Sequence, residues 1–151
     1  MKRQVTHATF SIEKTINAPV AKCWAAFSSI AGKKQWFQGP PEWPEDEQTM
    51  EFKVGGSETS KGGPKGGPVH YFEARYLDII SESRIVYAYN MFVDDTKLSS
   101  SLASITFAVE GKTTVVTMTE HGAYYDGHED PRQREEGTRY LMAELQQAME
   151  K

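Results

Sequence analysis

The sequence predicts an α+β domain in which a long C-terminal helix packs across a curved antiparallel sheet. Three observations lead there. Apolar and polar residues alternate through 8–16 and through several segments between 69 and 120, as half-buried strands require. Short polar turns join the later segments with no helix between them, which implies an antiparallel meander. Beyond residue 130 the period changes: Tyr140, Leu141, Leu145, Ala148 and Met149 form an apolar stripe at helical spacing.

Within 8–16, Phe10, Ile12 and Ile16 share one parity, and Lys14 is the single charged residue on that side. Asn17-Ala18-Pro19 ends the strand. Asn17 is the expected N-cap of a helix, with Pro19 in its first turn, where a missing N–H costs little. Val20, Cys23, Trp24 and Phe27 give this helix a buried face, and it ends near Ser28. A second short helix is expected over 31–36, before Gly39-Pro40-Pro41. Residues 42–47 are acidic and read as a surface loop, and 49–54 as a strand. Lys61-Gly62-Gly63-Pro64 repeats as Lys65-Gly66-Gly67-Pro68, too short for a repeat architecture. Glycine's conformational range and proline's missing donor make it a mobile hairpin connection.

Strands are expected over 69–80, 84–92, 98–109 and 112–120. Ile85, Tyr87, Tyr89 and Met91 share a face of one, Ala103, Ile105, Phe107 and Val109 a face of the next, and Val116 and Met118 a face of the last. Glu110-Gly111 is a compact hairpin signal between the final two. Residues 121–129 read as a loop. Asp130-Pro131-Arg132-Gln133 then supplies an N-cap, a proline at the first helical position and a glutamine able to complete a capping box. Gly137 lies inside this helix at a cost of ~1 kcal/mol relative to alanine, and a close approach to the sheet is the expected reason.

At 151 residues one domain is expected, large enough to build a core without disulfides or metal. The single cysteine, Cys23, cannot form an intrachain bridge and suits a reducing compartment. The basic start, Met1-Lys2-Arg3, has no apolar run behind it, and no later stretch approaches the ~20 apolar residues of a membrane helix. A cytoplasmic location is therefore expected. The net charge of −4, with bases scattered among acids, argues against a nucleic-acid partner.

These elements carry residues that resemble a known family. Phe10-Ser11-Ile12-Glu13-Lys14-Thr15-Ile16-Asn17-Ala18-Pro19 resembles the opening of the activator-of-Hsp90-ATPase-like (AHSA1-type) branch of the START-like, or SRPBCC, superfamily. The helix with Trp24, then Gln35-Trp36-Phe37 and Phe52-Lys53-Val54-Gly55-Gly56, follow in the family's order. So do Tyr76-Leu77-Asp78-Ile79-Ile80, Arg84-Ile85-Val86-Tyr87 and Thr114-Val115-Val116-Thr117-Met118-Thr119-Glu120. The resemblance spans nearly the whole chain and implies the helix-grip fold, a curved sheet gripping a long C-terminal helix. Two positions depart from it. Lys14 stands where the family often has arginine, and Gly137 is followed by Thr138 where the closing helix usually carries Gly-Trp. Without that tryptophan, either a wider cavity or repacking by Tyr140 is allowed. Related domains bind lipids, hormones or polyketides, some are cyclases or aromatases, and others contact Hsp90, so the fold leaves the function open.

The aromatic set Trp36, Phe52, Tyr71, Tyr76, Tyr87, Tyr89, Phe107 and Tyr140 can line a pocket, although core packing is the commoner use of such rings. His121, at the end of a strand, is the candidate for an acid, base or ligand anchor. The expected ligand-binding set is Lys14, Trp36, Phe52, Tyr76, Tyr87, Tyr89, Phe107, His121 and Tyr140. His121, Asp126, His128 and Asp130 have metal-ligating side chains at a spacing that fits no established site. The glycine repeat leads to proline where a phosphate loop needs lysine. No metal or cofactor is expected. The leading expectation is a monomer or homodimer that binds an apolar, aromatic or lipid-like small molecule. The alternatives are a cyclase or hydrolase working in the same cavity, with His121 or a tyrosine moving a proton, and an Hsp90-related or other interaction module.

Overall fold

The computed structural model describes residues 2–151. The first strand, β1 (Val5–Ile16), pairs antiparallel with the last, β7 (Thr113–Tyr125), so the chain's opening residues lie beside its closing hairpin. From β7 the sheet runs inward through β6 (Thr96–Glu110), β5 (Arg84–Val93), β4 (His70–Ile80), β3 (Ser57–Gly62) and β2 (Glu47–Met50). All seven strands are antiparallel to their neighbours, and β1 and β2 are the edges. Helices α1 (Val20–Ser28) and α2 (Ile30–Lys33) follow β1, and α3 (Pro131–Met149) closes the chain. This is the α+β helix-grip arrangement of a curved sheet and a C-terminal helix.

The alternation read from the sequence sets the inner face. Phe10, Ile12 and Ile16 of β1, Ile85, Tyr87 and Tyr89 of β5, and Ala103, Ile105 and Phe107 of β6 are all buried. Against one end of this face, α1 inserts Cys23, Ala26 and Phe27, and Trp36 donates its indole N–H to the Ala26 carbonyl at 2.8 Å. Gly32 is required where α2 turns against α1, because a Cβ there would lie 1.9 Å from the Ala25 carbonyl oxygen. At Gly111, a φ of 60° supports the tight β6–β7 turn.

Several local expectations are corrected. Pro19, not Asn17, occupies the N-cap of α1, and no side chain caps that end. The second helix is shorter than 31–36, covering Ile30–Lys33, and Ser29 caps it by accepting from the Gly32 N–H. The strand expected over 49–54 is displaced to Glu47–Met50, and Ser57–Gly62 forms a further strand in a polar stretch. The second copy of the glycine-proline repeat lies in the β3–β4 connection. Residues 121–125 continue β7 rather than forming a loop.

At α3, Asp130 is the N-cap and accepts from the Arg132 N–H at 3.0 Å, with Pro131 next to it. Gln133 does not return a side-chain bond to close the box; its backbone N–H reaches the Asp130 carbonyl instead. The helix buries Thr138, Met142, Leu145 and Met149, a stripe rotated away from Tyr140, which is 52% exposed. Gly137 makes no close approach to the sheet: a Cβ added there would have nothing within 4 Å. No helix among the described residues is long and apolar enough to cross a membrane.

Candidate functional site

Small inner-face residues on the middle strands create space beneath α3. Ser99, Ser101 and Ala103 on β6 present little side chain, while α3 is held against β1 and α1. A cavity of about 840 Å³ results. Its walls are aromatic and aliphatic: Trp36, Phe37 and Phe72 on one side, Tyr87, Tyr89 and Met91 along β5, and Leu141 and Met142 from α3. The exposed residues among its lining mark the mouth. They are Asp94 and Thr96 at the β5–β6 turn, His128 in the loop before α3, and Gln133 and Gly137 in the first turns of α3.

One wall is a buried polar network. Tyr89 Oη donates to Glu120 Oε1 at 2.7 Å and accepts from Arg134 Nη1 at 2.9 Å. Arg134 Nη2 donates to Ser99 Oγ at 2.8 Å and to Glu129 Oε1 at 2.7 Å, and the guanidinium carbon sits 5.3 Å from the centre of the Tyr124 ring. Gly122 is what admits that ring, because a Cβ at 122 would come within 2.6 Å of it. Among the described residues Glu120 Oε2 has no hydrogen-bond partner, and Arg134 Nη1 is 3.9 Å away. Burial pushes the Glu120 carboxyl above the ordinary carboxylate range, although the Tyr89 hydrogen bond and the Arg134 charge pull it down. Burial also raises the Tyr89 and Tyr87 hydroxyls, with Glu120 adding to both shifts, and lifts Tyr124 to about 12.

A second buried cluster adjoins the cavity. Lys33 Nζ pairs with Glu58 Oε2 at 2.9 Å, with side chains 5% and 6% exposed, and Tyr76 Oη donates to Glu58 Oε1 at 2.5 Å. The ammonium also lies 4.0 Å from the centre of the Phe37 ring, a cation–π contact that replaces part of its lost hydration.

The family model described as Activator of Hsp90 ATPase homolog 1-like protein matches residues 17–150. The chain belongs to that family. Among solved structures, an uncharacterized protein of Rhizobium leguminosarum is 33% identical, covers 99% of both chains and superposes with a TM-score of 0.93. The Mll3558 protein of Rhizobium loti is 34% identical over 96% of this chain and 99% of its own, at a TM-score of 0.87. At 19% identity, an AHSA1-like protein of Aeromonas hydrophila shares the fold, covering 93% of this chain and 91% of its own at a TM-score of 0.71. No curated protein matches the chain.

In this AHSA1-type chain, the expected site residues separate into three groups. Trp36, Tyr87 and Tyr89 line the cavity together. Phe52, Tyr76 and Phe107 lie outside the cavity lining, in an aromatic cluster with Trp24 and Phe27 of α1; the Phe52–Tyr76 centroids are 5.0 Å apart and the Trp24–Phe107 centroids 5.1 Å. Lys14, His121 and Tyr140 are not part of the cavity lining. Lys14 is half-buried opposite Val116, and Tyr140 points outward from α3. His121 is exposed, with Nδ1 3.1 Å from Thr9 Oγ1 of the neighbouring strand. Strand alternation explains this: extending β7 puts Glu120, Gly122 and Tyr124 inside and His121 outside.

Sequence reasoning did not select Lys33, Glu58, Ser99, Glu120, Glu129 or Arg134. Glu120 had one available signal, since it continues the inward parity of Val116 and Met118. Arg134 had a comparable one, lying four residues before Thr138 and eight before Met142 on the buried side of α3.

Proposed function

We propose that this AHSA1-type chain binds a small apolar or aromatic molecule in the cavity between α3 and the sheet. The observation that carries the reading is the cavity itself. Its 840 Å³ falls within the range of about 300–1,000 Å³ typical of small-molecule sites, and its aromatic walls converge on a few polar groups. An unfilled apolar space of that size is unfavourable, so water or a ligand must occupy it. The buried polar wall gives an occupant orientation as well as area.

Native mass spectrometry of freshly purified protein, followed by thermal shift against lipid-like and aromatic compounds, tests this reading. A retained small molecule or a concentration-dependent rise in Tm supports it. A clean apo mass with no shift from either class overturns it.

A cyclase or hydrolase reading draws on a different residue from His121. Glu120 faces the cavity with a raised carboxyl pKa and a tyrosine hydroxyl at 2.7 Å, the arrangement of a proton-transfer group. We further propose a cytoplasmic setting, a reading supported by the single, buried Cys23.

A further inference from the structure

Resting on the cavity-binding reading, the unsatisfied atoms of the polar wall identify the chemistry of the occupant. Glu120 is 2% exposed, and one of its carboxylate oxygens is committed to Tyr89 while Oε2 has no partner among the described residues. Arg134 does not fill that valence. Its Nη1 is committed to Tyr89 and its Nη2 to Ser99 and Glu129, which leaves the guanidinium 3.9 Å short of Oε2. Tyr87, another cavity-lining residue, makes no side-chain hydrogen bond among the described residues. A buried carboxylate oxygen without a partner and a tyrosine hydroxyl without a side-chain hydrogen bond, on two residues that both line the cavity, are what an incoming polar group would complete.

Charge narrows the class further. The lining carries Asp94, Glu120 and Glu129 against Lys33 and Arg134. Both cations are already paired, Lys33 with Glu58 and Arg134 with Glu129. An anionic ligand would therefore meet Glu120 without a free cation to answer it, whereas a neutral hydroxyl or N–H would give Oε2 its missing donor. We propose that the cavity selects an uncharged, largely apolar ligand bearing a hydroxyl or N–H donor, seated on Glu120 Oε2, and rejects carboxylates. Tyr87 supplies a second contact, donating to the same hydroxyl oxygen.

The test compares three probes of one ring system, 2-naphthol, 2-methylnaphthalene and 2-naphthoate, by calorimetry at neutral pH with wild-type protein and Glu120→Gln. In wild type, 2-naphthol should bind at least about tenfold tighter than either of the others, because only it supplies the donor without a charge. In Glu120→Gln the gap between 2-naphthol and 2-naphthoate should narrow, since the amide offers a donor and carries no charge. Equal or tighter binding of 2-naphthoate by wild type overturns the selection while leaving the cavity reading intact. An unchanged probe ratio in folded Glu120→Gln overturns Glu120 as the seat. If that variant does not fold, Tyr87→Phe replaces it, and a preference for 2-naphthol undiminished in Tyr87→Phe overturns the two-point contact. Binding of none of the three by any protein, to millimolar concentration, removes this inference and the cavity reading together.

Discussion

Tyr89 on β5 reaches across the intervening strand β6 to hydrogen-bond Glu120 on β7, Oη to Oε1, at 2.7 Å. The register makes this reach possible. Tyr89 lies opposite Ser101 and Glu120 opposite Ala103, so the strand between them carries only small side chains at the crossing. The same hydroxyl accepts from Arg134, which, with its bond to Ser99, ties α3 to the middle of the sheet beside the cavity.

Removing that hydroxyl breaks two bonds at once. Tyr89→Phe leaves Glu120 without a hydrogen bond and Arg134 Nη1 without its acceptor, and should cost about 1–3 kcal/mol of unfolding free energy. Urea denaturation at neutral pH measures it. A loss under 0.5 kcal/mol, an estimate below the typical worth of one hydrogen bond, would show that water replaces the phenol.

Glu120 gives stability a pH dependence of unusual sign for a carboxylate. Its folded pKa lies above the ordinary 4.5, so in the window above 4.5 the folded chain holds a proton that the unfolded chain releases. The contribution is fully present below the unfolded pKa and is lost as pH rises through the folded value. Tyr89, Arg134 and Glu129 face the group, and burial outweighs the two that favour its charge. The stability of wild type relative to Glu120→Gln should therefore fall between pH 4 and neutrality, as followed by denaturation at stepped pH on the order of one unit apart. A rising difference would mean that Arg134 dominates.

At Gly137 the structure predicts a gain. An added methyl meets nothing within 4 Å and no left-handed backbone is required there, so Gly137→Ala should stabilise by about 0.5–1 kcal/mol through lower entropy of the unfolded chain. Thermal unfolding should register this as a higher Tm. Gly137→Phe should instead project into the mouth and weaken any cavity ligand that wild type binds.

The Lys33–Glu58 pair should behave as a unit. Lys33→Met strands a buried carboxylate and should cost about 3–5 kcal/mol, whereas adding Glu58→Gln should recover most of that loss. A double-variant cycle by chemical denaturation checks it. Additive losses would show that the two charges are solvated independently.

What the sequence made legible follows from where apolar contrast is strong. Ile85, Tyr87 and Tyr89 alternate against polar neighbours, and Asp130-Pro131 marks its helix start unambiguously, so β5 and α3 are placed correctly. Strand β3 was hidden because its buried residues are Glu58 and Ser60, made acceptable inside by Lys33, Tyr76 and Asp46, which are distant in sequence. The end of β7 was hidden for a similar reason, since glutamate and glycine precede Tyr124 on its inner parity. The polar half of the site was illegible because a charged residue normally indicates surface, and only the three-dimensional pairing of Arg134 with Glu129 and Tyr89 reverses that expectation.

The helix α3 is divided along its length. Its later turns, through Leu145 and Met149, are fixed in the core, while Gly137 and Thr138 line the cavity. Inheritance can therefore act on the two halves separately. A change at 137 alters the mouth of the cavity without disturbing the packing that holds the chain folded, because a side chain there meets nothing within 4 Å. A lineage with this architecture can reshape the mouth of the cavity at 137 in single steps, each step leaving a stable protein.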